Sequence, residues 1–339
     1  MLERITNPAE LPEEQEFDNS LRPKTLSDFV GQDHIKPVLE IAIKAAKMRG
    51  DAMDHVLFYG PPGLGKTTLS NIIANELETE ITVSSGPVLE KPADLAGVLT
   101  NLKGRNVFFI DEIHRLNRTI EEYIYPALED FSIEIIVDQG PSARIFKINI
   151  EPFTMVGATT RAGLITAPLR ARFGLTFRLD YYDLKSIEHI VRRSAKLIKI
   201  PLDEGGCSEI AKRSRGTPRV ANRLLRRVRD YAQIKGDGAI SQVLAQKALA
   251  MLNVDEHGLD DMDKRIIMTI IQNYGGGPIG LKTLSVAVGE DAGTIEEIYE
   301  PYLIQQGFID RTLQGRCVTQ KAYRFFKIKK SSDSQMEIF

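Results

Sequence analysis

The sequence predicts an α/β fold with a parallel sheet at its core, followed by a helical domain and a winged-helix domain. Three observations support this prediction. Short apolar runs alternate with helical stretches over residues 20–182, helical spacing dominates residues 183–256, and residues 257–330 suggest three helices and a small hairpin. Apolar strands separated by helices are typical of a parallel sheet covered on both faces. The polar residues 1–19 and the tail 331–339 are predicted to be mobile.

Five apolar runs are expected to form the core sheet. They are residues 55–59, 80–83, 106–110, 154–158 and 175–179. Between the third and fourth runs, residues 133–150 have the pattern of strand, Gly-Pro turn and strand, which predicts a β-hairpin. The hairpin either protrudes as a contact element or packs into the core of its own domain.

Composition limits the class of protein. Hydrophobic residues make up 42% and charged residues 27% of the 339 residues, which is ordinary for a soluble globular chain of two or three domains. Cys207 and Cys317 are far apart, so neither a disulfide framework nor a zinc site is expected. There is no signal-peptide pattern and no apolar run of roughly 18 residues, so we expect a cytoplasmic protein with no membrane partner.

The charge distribution is more informative than the net charge of -2. Residues 181–256 carry 15 Lys and Arg against 9 Asp and Glu, and residues 301–330 carry 7 against 1. Such local excesses can place a basic surface on one side of a nearly neutral protein, although a solvated helix face explains the first about equally well.

The clearest motif is a glycine-rich loop between an apolar run and a helical stretch. The segment 60–67, GPPGLGKT, fits the P-loop pattern in the context that this motif requires. Its backbone N–H groups and the helix N-terminus favour phosphate oxygens, the lysine neutralises the β- and γ-phosphates, and the threonine hydroxyl is a Mg²⁺ ligand. The residues expected at the phosphates of ATP are Gly60, Gly63, Leu64, Gly65, Lys66, Thr67 and Thr68.

Two carboxylates follow the third apolar run. Asp111 is expected to hold Mg²⁺, and Glu112 can polarise an attacking water. The pair favours an ATPase over a small-molecule kinase, so hydrolysis of ATP is the predicted reaction. The nearby His114 is more simply explained as a structural or coupling residue than as a base.

Other polar residues have open alternatives. Thr159 and Thr160 end the fourth run, where a hydroxyl could align water and γ-phosphate, although a simple turn is almost as good an explanation. Either Arg170 or Arg172 could act as an arginine finger on a neighbouring subunit, but a salt bridge is the default for any arginine. Arg219 begins a lid helix and would lie near phosphate if the lid folds over the core.

The predicted wing carries two arginines, Arg311 and Arg316. Basic residues on a two-stranded wing suit contact with DNA phosphates, and a motor that moves along DNA cannot depend on base edges. A winged helix can instead serve as a protein–protein module.

Taken together, these motifs resemble the AAA+ class, and more narrowly the bacterial RuvB family of Holliday-junction motors. The resemblance is collinear over nearly the whole chain. It rests on the segments 21–32, 60–69, 109–117, 127–131, 156–163, 167–174, 215–232 and 307–316.

The resemblance implies roles for particular residues. Leu21 and Arg22 are expected against the adenine ring, and Tyr182 and Arg219 are expected to close the pocket from the lid side. Thr160 is preferred over Thr159 as the γ-phosphate sensor, and Arg172 over Arg170 as the finger. The residues expected near a subunit boundary, where they could approach nucleotide, are Glu129, Asp130 and Phe131.

The resemblance also implies partners. The family acts as a homo-hexamer on double-stranded and four-way-junction DNA in recombination and repair, with a RuvA-like junction-binding protein and a RuvC-like resolvase. The hairpin is the expected docking element for the RuvA-like protein, through Ile135, Ile136, Val137 and Ile145. A clamp-loader-like ATP switch on DNA and a protein remodeller without DNA are the alternative functions.

Overall fold

The computed structural model of the chain describes residue 6, residues 15–137 and residues 144–329. The chain folds into two compact units, one formed by Glu16–Tyr182 and the other by Asp183–Phe339 together with Met1–Gln15. The predicted mobile segment extends to residue 19, whereas a helix already begins at Gln15. The predicted mobile tail, 331–339, lies outside the described residues.

The first unit contains six α-helices and seven strands among its described residues. The helices are α1 (Gln15–Leu21), α2 (Lys36–Arg49), α3 (Lys66–Leu77), α4 (Pro92–Thr100), α5 (Arg118–Glu129) and α6 (Ala167–Ala171). The strands are β1 (Val56–Tyr59), β2 (Ile81–Ser85), β3 (Val107–Asp111), β4 (Ser132–Val137), β5 (Arg144–Asn149), β6 (Thr154–Thr159) and β7 (Leu175–Arg178).

Five of these strands form one parallel sheet in the order β2-β3-β6-β1-β7. The inner strands β3 and β6 are almost entirely buried, because helices cover both faces of a parallel sheet. Phe108, Met155 and Leu57 of the sheet pack with Ile124 and Leu169 of the helices in the main apolar core. The predicted parallel α/β core is confirmed.

The hairpin of β4 and β5 is antiparallel. Its base is buried, since Ile133 is fully enclosed in the core, whereas Phe146 and Ile148 are 51% and 37% exposed. The sequence left open whether the hairpin is a contact element or part of the core. Both apply in part, because Ile133 lies in the core whereas Phe146 and Ile148 are in contact with solvent. The side chains of the predicted partner-binding residues Ile135, Ile136, Val137 and Ile145 lie outside the described part of the structure.

The second unit is helical apart from a small wing. Its lid part comprises α7 (Leu184–Leu197), α8 (Glu204–Lys212), α9 (Pro218–Lys235) and α10 (Gln242–Met251). Its winged helix comprises α11 (Asp261–Tyr274), α12 (Leu281–Val288), α13 (Ala292–Thr294), α14 (Glu300–Gln305), α15 (Gln320–Phe325), β8 (Ile309–Thr312) and β9 (Gly315–Val318). Asp183 caps α7, because its carboxylate accepts a hydrogen bond from the Ser186 N–H at 2.7 Å.

The third helix of the winged helix is irregular. A π-helical turn, Ile295–Tyr299, joins α13 to α14. Pro301 lies in the first turn of α14, where its missing N–H is tolerated. β8 and β9 pair in register, with Arg311 opposite Arg316, and Leu313 stands fully exposed at the tip of the wing.

A buried charge cluster joins the lid part to the winged helix. Arg215, only 4% exposed, donates hydrogen bonds to the Asp263 carboxylate and, at 2.8 Å, to the Gly258 carbonyl. Its guanidinium also lies 3.4 Å from Asp260 and stacks over the Tyr302 ring at 4.8 Å. Thr6 donates a hydrogen bond to Asp260. One guanidinium therefore lies beside two carboxyl groups inside the unit.

Because one guanidinium faces two carboxyl groups, the pKa values of Asp260 and Asp263 shift in opposite directions. Burial raises the pKa of Asp263 to about 8, with the nearby Asp260 adding to the effect and Arg215 opposing it. Burial acts in the same direction on Asp260, but Arg215 and hydrogen bonds outweigh it and leave its pKa below the usual value. Near neutral pH the cluster thus holds one guanidinium, one carboxylate and one protonated carboxyl.

The Asp263→Asn variant should remove part of the pH dependence of stability. The folded-state pKa of Asp263 lies above its ordinary value of 3.8, so the stability it contributes is complete below that value and is lost as pH rises towards 8. Between pH 5 and 8, the Tm of this variant should fall less than that of the wild type, by about 2–4 °C for each 1 kcal/mol removed. Asp261→Asn, at an exposed position two residues away, is the matched control. If the Tm of all three proteins changed equally between pH 5 and 8, the raised pKa of Asp263 would be contradicted.

Candidate nucleotide site

The loop between β1 and α3 is shaped by glycines. Gly60 has a φ of +138°, and a Cβ at this position would collide with the Leu179 carbonyl. Gly65 has a φ of +104° and precedes α3, with the Phe29 ring so close that a Cβ would lie 3.1 Å from it. No other residue type fits these two positions without strain. The loop N–H groups therefore lie next to the N-terminus of α3, and together they can bind an anion such as phosphate.

Lys66 is held inside this loop. Its Nζ donates to the Gly60 and Pro61 carbonyls, both at 2.8 Å, and the residue is only 8% exposed. The phosphate oxygens of a nucleotide are stronger acceptors than these two carbonyls and can replace them. Thr67 and Thr68 follow in the first turn of α3.

The segment before α2 is anchored along α3. The Asn75 amide donates to the Lys24 carbonyl at 3.2 Å, and the Leu26 N–H donates to the Glu76 carboxylate at 3.1 Å. Leu21 is buried and Arg22 is partly buried at the start of this segment. The structure thus carries both predicted adenine-side residues on a segment that runs along the phosphate-loop helix.

Tyr182 ends the first unit beside the loop. Its hydroxyl donates to the Leu64 carbonyl at 3.0 Å, and its ring leaves no room for a side chain at Gly31. Burial raises the pKa of this hydroxyl, so Tyr182 remains a neutral donor that braces the loop. Arg219, its predicted companion, lies in the first turn of α9 in the other unit.

The two acidic residues at the end of β3 differ in their surroundings. The Asp111 carboxylate accepts a hydrogen bond from the Glu112 N–H at 2.8 Å. Glu112 has a φ of +47° and forms an ion pair with Arg115 at 2.9 Å, with 42% of its side chain exposed. Asp111 is therefore oriented by the backbone, whereas the Glu112 pair faces solvent and is weak enough to exchange.

The two adjacent threonines at the end of β6 are not equivalent. Thr159 Oγ1 accepts from the Arg161 N–H at 2.9 Å and lies 2.9 Å from His114 Nδ1. Burial lowers the pKa of His114, with Glu112 opposing the effect, so the neutral ring can accept a hydrogen bond from the Thr159 hydroxyl. Within the described part of the chain, Thr160 Oγ1 is buried without a hydrogen-bond partner. The unused hydroxyl supports Thr160 as the γ-phosphate sensor.

The residues fit a nucleotide and a divalent cation. The glycine loop, the buried Lys66 and the unpaired Thr160 hydroxyl match what a triphosphate requires. Among the described residues, no three His, Cys, Asp or Glu side chains cluster to hold a metal alone. Mg²⁺ usually takes one or two protein ligands together with phosphates and water, and the Asp111 carboxylate is an oxygen ligand of the kind it prefers.

Arg172 and Glu129 form a separate cluster in the same unit. Arg172 pairs with the Glu129 carboxylate at 3.0 Å and lies over the Tyr125 ring at 4.1 Å. Arg170 is exposed and donates to the Ala162 carbonyl. The structure thus brings together two residues predicted at a subunit boundary, and it gives Arg172 the intramolecular salt bridge that was the default expectation.

The neighbours of Glu129 point in different directions. Asp130 is exposed and lies 3.9 Å from Lys147 of the hairpin. Phe131 packs edge-on against the buried Phe153 ring. Its partly buried ring therefore contributes to the core of this unit, whereas the side chains of Glu129 and Asp130 are exposed.

The wing arginines have unequal surroundings. The Arg311 side chain is 56% exposed and lies 3.2 Å from the Glu296 carboxylate. The Arg316 side chain is 9% exposed and donates two hydrogen bonds to Glu300, at 2.8 and 3.1 Å. Arg311 is available to a surface ligand as predicted, whereas Arg316 can reach one only by giving up Glu300.

The parallel sheet, the phosphate loop, the acidic strand end and the helical lid define a P-loop ATPase of the AAA+ class. Three family models match the chain in order: the Holliday junction DNA helicase RuvB P-loop domain over residues 21–179, the RuvB AAA lid domain over 182–255 and the RuvB C-terminal winged helix domain over 256–327. The chain belongs to the RuvB family.

Individual relatives agree with this assignment. A Salinibacter ruber protein named Holliday junction branch migration complex subunit RuvB is 59% identical over 92% of this chain and 91% of its own length. A Flavobacterium johnsoniae protein of the same name is also 59% identical, over 92% of each chain. The solved structure of the Thermotoga maritima RuvB Holliday junction branch migration motor superposes with a TM-score of 0.84, at 50% identity over 91% of this chain and 99% of that one.

Sequence reasoning missed several partners of the site residues. Arg115 lies three residues after Glu112, so its helical spacing was a usable signal. The partners Glu296 and Glu300 had no such signal, because the wing must fold back onto α14 before they meet the arginines.

No helix of the described chain has the length and apolar character needed to cross a bilayer.

Lys66→Ala should weaken nucleotide binding by about 10- to 150-fold, the range expected for losing charge-assisted hydrogen bonds of about 1.5–3 kcal/mol. Titration with a fluorescent ATP analogue measures the change. Lys44→Ala, which removes an exposed lysine from α2, is the control for charge. Equal affinities of the two variants would show that Lys66 does not bind phosphate.

Proposed function

We propose that this protein hydrolyses ATP to drive branch migration of Holliday junctions in DNA recombination and repair, as the motor subunit of a larger complex. The observation that carries the proposal is the convergence of Lys66, Asp111, Glu112 and Thr160 at one edge of the sheet in a chain that also bears a winged helix. The names of the relatives supply the substrate. The DNA substrate also makes the cytoplasm the proposed location.

Within this proposal the nucleotide is ATP and the metal is Mg²⁺. Thr67 and Asp111 would hold the metal, which when bound neutralises charge on the β- and γ-phosphates. Lys66 exchanges its carbonyl acceptors for phosphate oxygens, and Thr160 contributes its unused hydroxyl. Gly60, Gly63, Leu64, Gly65 and Thr68 supply the remaining phosphate contacts, and Leu21 and Arg22 flank the base.

Glu112 is the proposed residue that orients the attacking water. Its ion pair with Arg115 is half-exposed, so rotation towards the water costs little. Because Asp111 is fixed by the Glu112 N–H, the backbone holds the metal ligand still while the neighbouring carboxylate turns.

The proposed assembly is a homo-hexamer in which Arg172 contacts the nucleotide of the neighbouring subunit. The Glu129 pair and the Tyr125 ring hold the guanidinium at the surface with 20% of its side chain exposed. Its Nε is buried and has no partner among the described residues. Arg170 is the second choice, and Glu129 and Asp130 would line the same boundary.

The proposed protein partner is a RuvA-like junction-binding protein, which docks on the hairpin. The exposed Phe146 and Ile148 support this role, because apolar side chains in solvent on a protruding element are typical of a protein contact. Ile135, Ile136, Val137 and Ile145 remain predicted contacts on the same hairpin. A RuvC-like resolvase would complete the complex.

The proposed DNA contact is the wing. Arg311, the exposed cation, would meet backbone phosphates of the duplex or junction, whereas Arg316, the second predicted DNA contact, would reach a phosphate only by releasing Glu300. Contacts of this kind carry no sequence information, as movement along DNA requires.

Glu112→Gln should reduce DNA-stimulated ATP hydrolysis by about 10²- to 10⁴-fold, the usual contribution of a general base, and should leave ATP binding intact. Phosphate release and dissociation of a labelled four-way junction in the presence of the RuvA-like partner measure the two activities. Glu122→Gln, on the exposed face of α5, serves as the matched control. A wild-type protein that hydrolyses ATP but never dissociates the junction would overturn the motor proposal.

Arg172→Ala should bind ATP normally but lose about 10³-fold in hydrolysis, as expected for an arginine finger acting in trans. Mixing it with Lys66→Ala should restore part of the activity, because some interfaces then combine an intact loop with an intact arginine. Phosphate release across a range of mixing ratios is the measurement. If Arg170→Ala loses hydrolysis and Arg172→Ala does not, the assignment moves to Arg170.

A further inference from the structure

The helix that precedes the wing is acidic. Between Ala292 and Gln305 it carries Glu296, Glu297 and Glu300, and the sequence has no Lys or Arg in this stretch. In many winged helices the corresponding helix enters the major groove. The carboxylates of this helix and the DNA phosphates are both negative, so the helix repels DNA unless its carboxylates are neutralised.

The wing supplies that neutralisation. Arg311 lies 3.2 Å from Glu296 and 3.8 Å from Glu300, and Arg316 lies 2.8 Å from Glu300 and 3.8 Å from Glu296. The two arginines also stand directly opposite each other in the β8–β9 ladder, where like charges repel. The four side chains thus form one compact network of two cations and two anions.

The two carboxylates differ in how firmly they are placed. The Glu300 side chain is 3% exposed and holds Arg316, which is 9% exposed, through two hydrogen bonds. The Glu296 side chain is 32% exposed and faces the half-exposed Arg311. Breaking the first pair would leave a buried charge, whereas the second pair can exchange with solvent ions at little cost.

We infer that Glu296 competes with DNA phosphate for Arg311 and so limits the affinity of the wing for DNA. This inference rests on the proposed function, because it takes the wing as the DNA contact. A phosphate that approaches Arg311 must displace the Glu296 carboxylate, and Glu296 recaptures the guanidinium when the phosphate leaves. Glu300 is the positioning residue that keeps Arg316, and with it β9, against α14.

Competition of this kind suits a protein that moves along its ligand. A wing arginine without an internal partner would hold each phosphate until thermal motion broke the contact. Because the Glu296 carboxylate must be displaced each time, it lowers the binding free energy gained from every phosphate contact of Arg311. This effect does not depend on base sequence. The result is a contact that forms and breaks repeatedly at each step along the duplex.

The test compares the Glu296→Gln and Glu297→Gln variants of the full chain. Both remove one negative charge from the same helical turn, and both side chains are half-buried, and Glu296 is the residue of this pair with a 3.2 Å contact to Arg311. The probe is a fluorescent 30-base-pair duplex titrated by anisotropy at several KCl concentrations. Glu296→Gln should bind about two- to fivefold more tightly than Glu297→Gln, the change expected from releasing a half-exposed ion pair.

A double variant separates competition from general charge. In the Arg311→Ala background, Glu296→Gln should lose its advantage over Glu297→Gln, because the guanidinium for which Glu296 competes is gone. An advantage that persists in this background, or equal affinities of the two single variants, would overturn the inference. If Arg311→Ala itself binds DNA as tightly as the wild type, the proposed wing contact fails instead. Thermal melting of each variant verifies that the winged helix remains folded.

Discussion

The site depends on the parallel register of three strands. β1 lies beside β6 with Tyr59 opposite Thr159, and β3 lies on the other side of β6 with Ile110 opposite Gly157. All three strands therefore end at one edge, where the phosphate loop, the acidic pair and the threonines emerge together. A slip of one residue between β3 and β6 would turn every buried side chain of one strand towards the wrong face. The packing of the core thus fixes the spacing of the chemical groups.

The sequence was sufficient where chemistry and structure are both local. The loop around Lys66, the carboxylates after β3 and the cap at Asp183 each lie in a short segment whose residue types impose their own backbone geometry. The five core strands were also recognisable, because burial on both faces leaves a continuous apolar run. Contacts between distant segments were not accessible in this way. The pairing of Arg172 with Glu129 requires α5 and α6 to be packed first.

The arginines of this chain illustrate why local pattern alone does not decide function. Arg311 and Arg316 sit at equivalent positions of a short hairpin, yet one is exposed and the other is enclosed by Glu300. Thr159 and Thr160 differ in the same manner, since one hydroxyl is used internally and its neighbour is not. In each pair the sequence identifies the residue type, and the surrounding fold decides which member remains available for a ligand.

The cluster around Arg215 has a mechanical consequence. Its guanidinium bonds to the Gly258 carbonyl and to Asp263 at the start of α11, while its own backbone leads within four residues to Arg219 in the first turn of α9. Separating α9 from α11 would leave the Arg215 guanidinium buried without its ion-pair partners, at a cost of about 3–5 kcal/mol. Because this network couples α9 to α11 within one compact unit, the lid and the winged helix are expected to move together as one body.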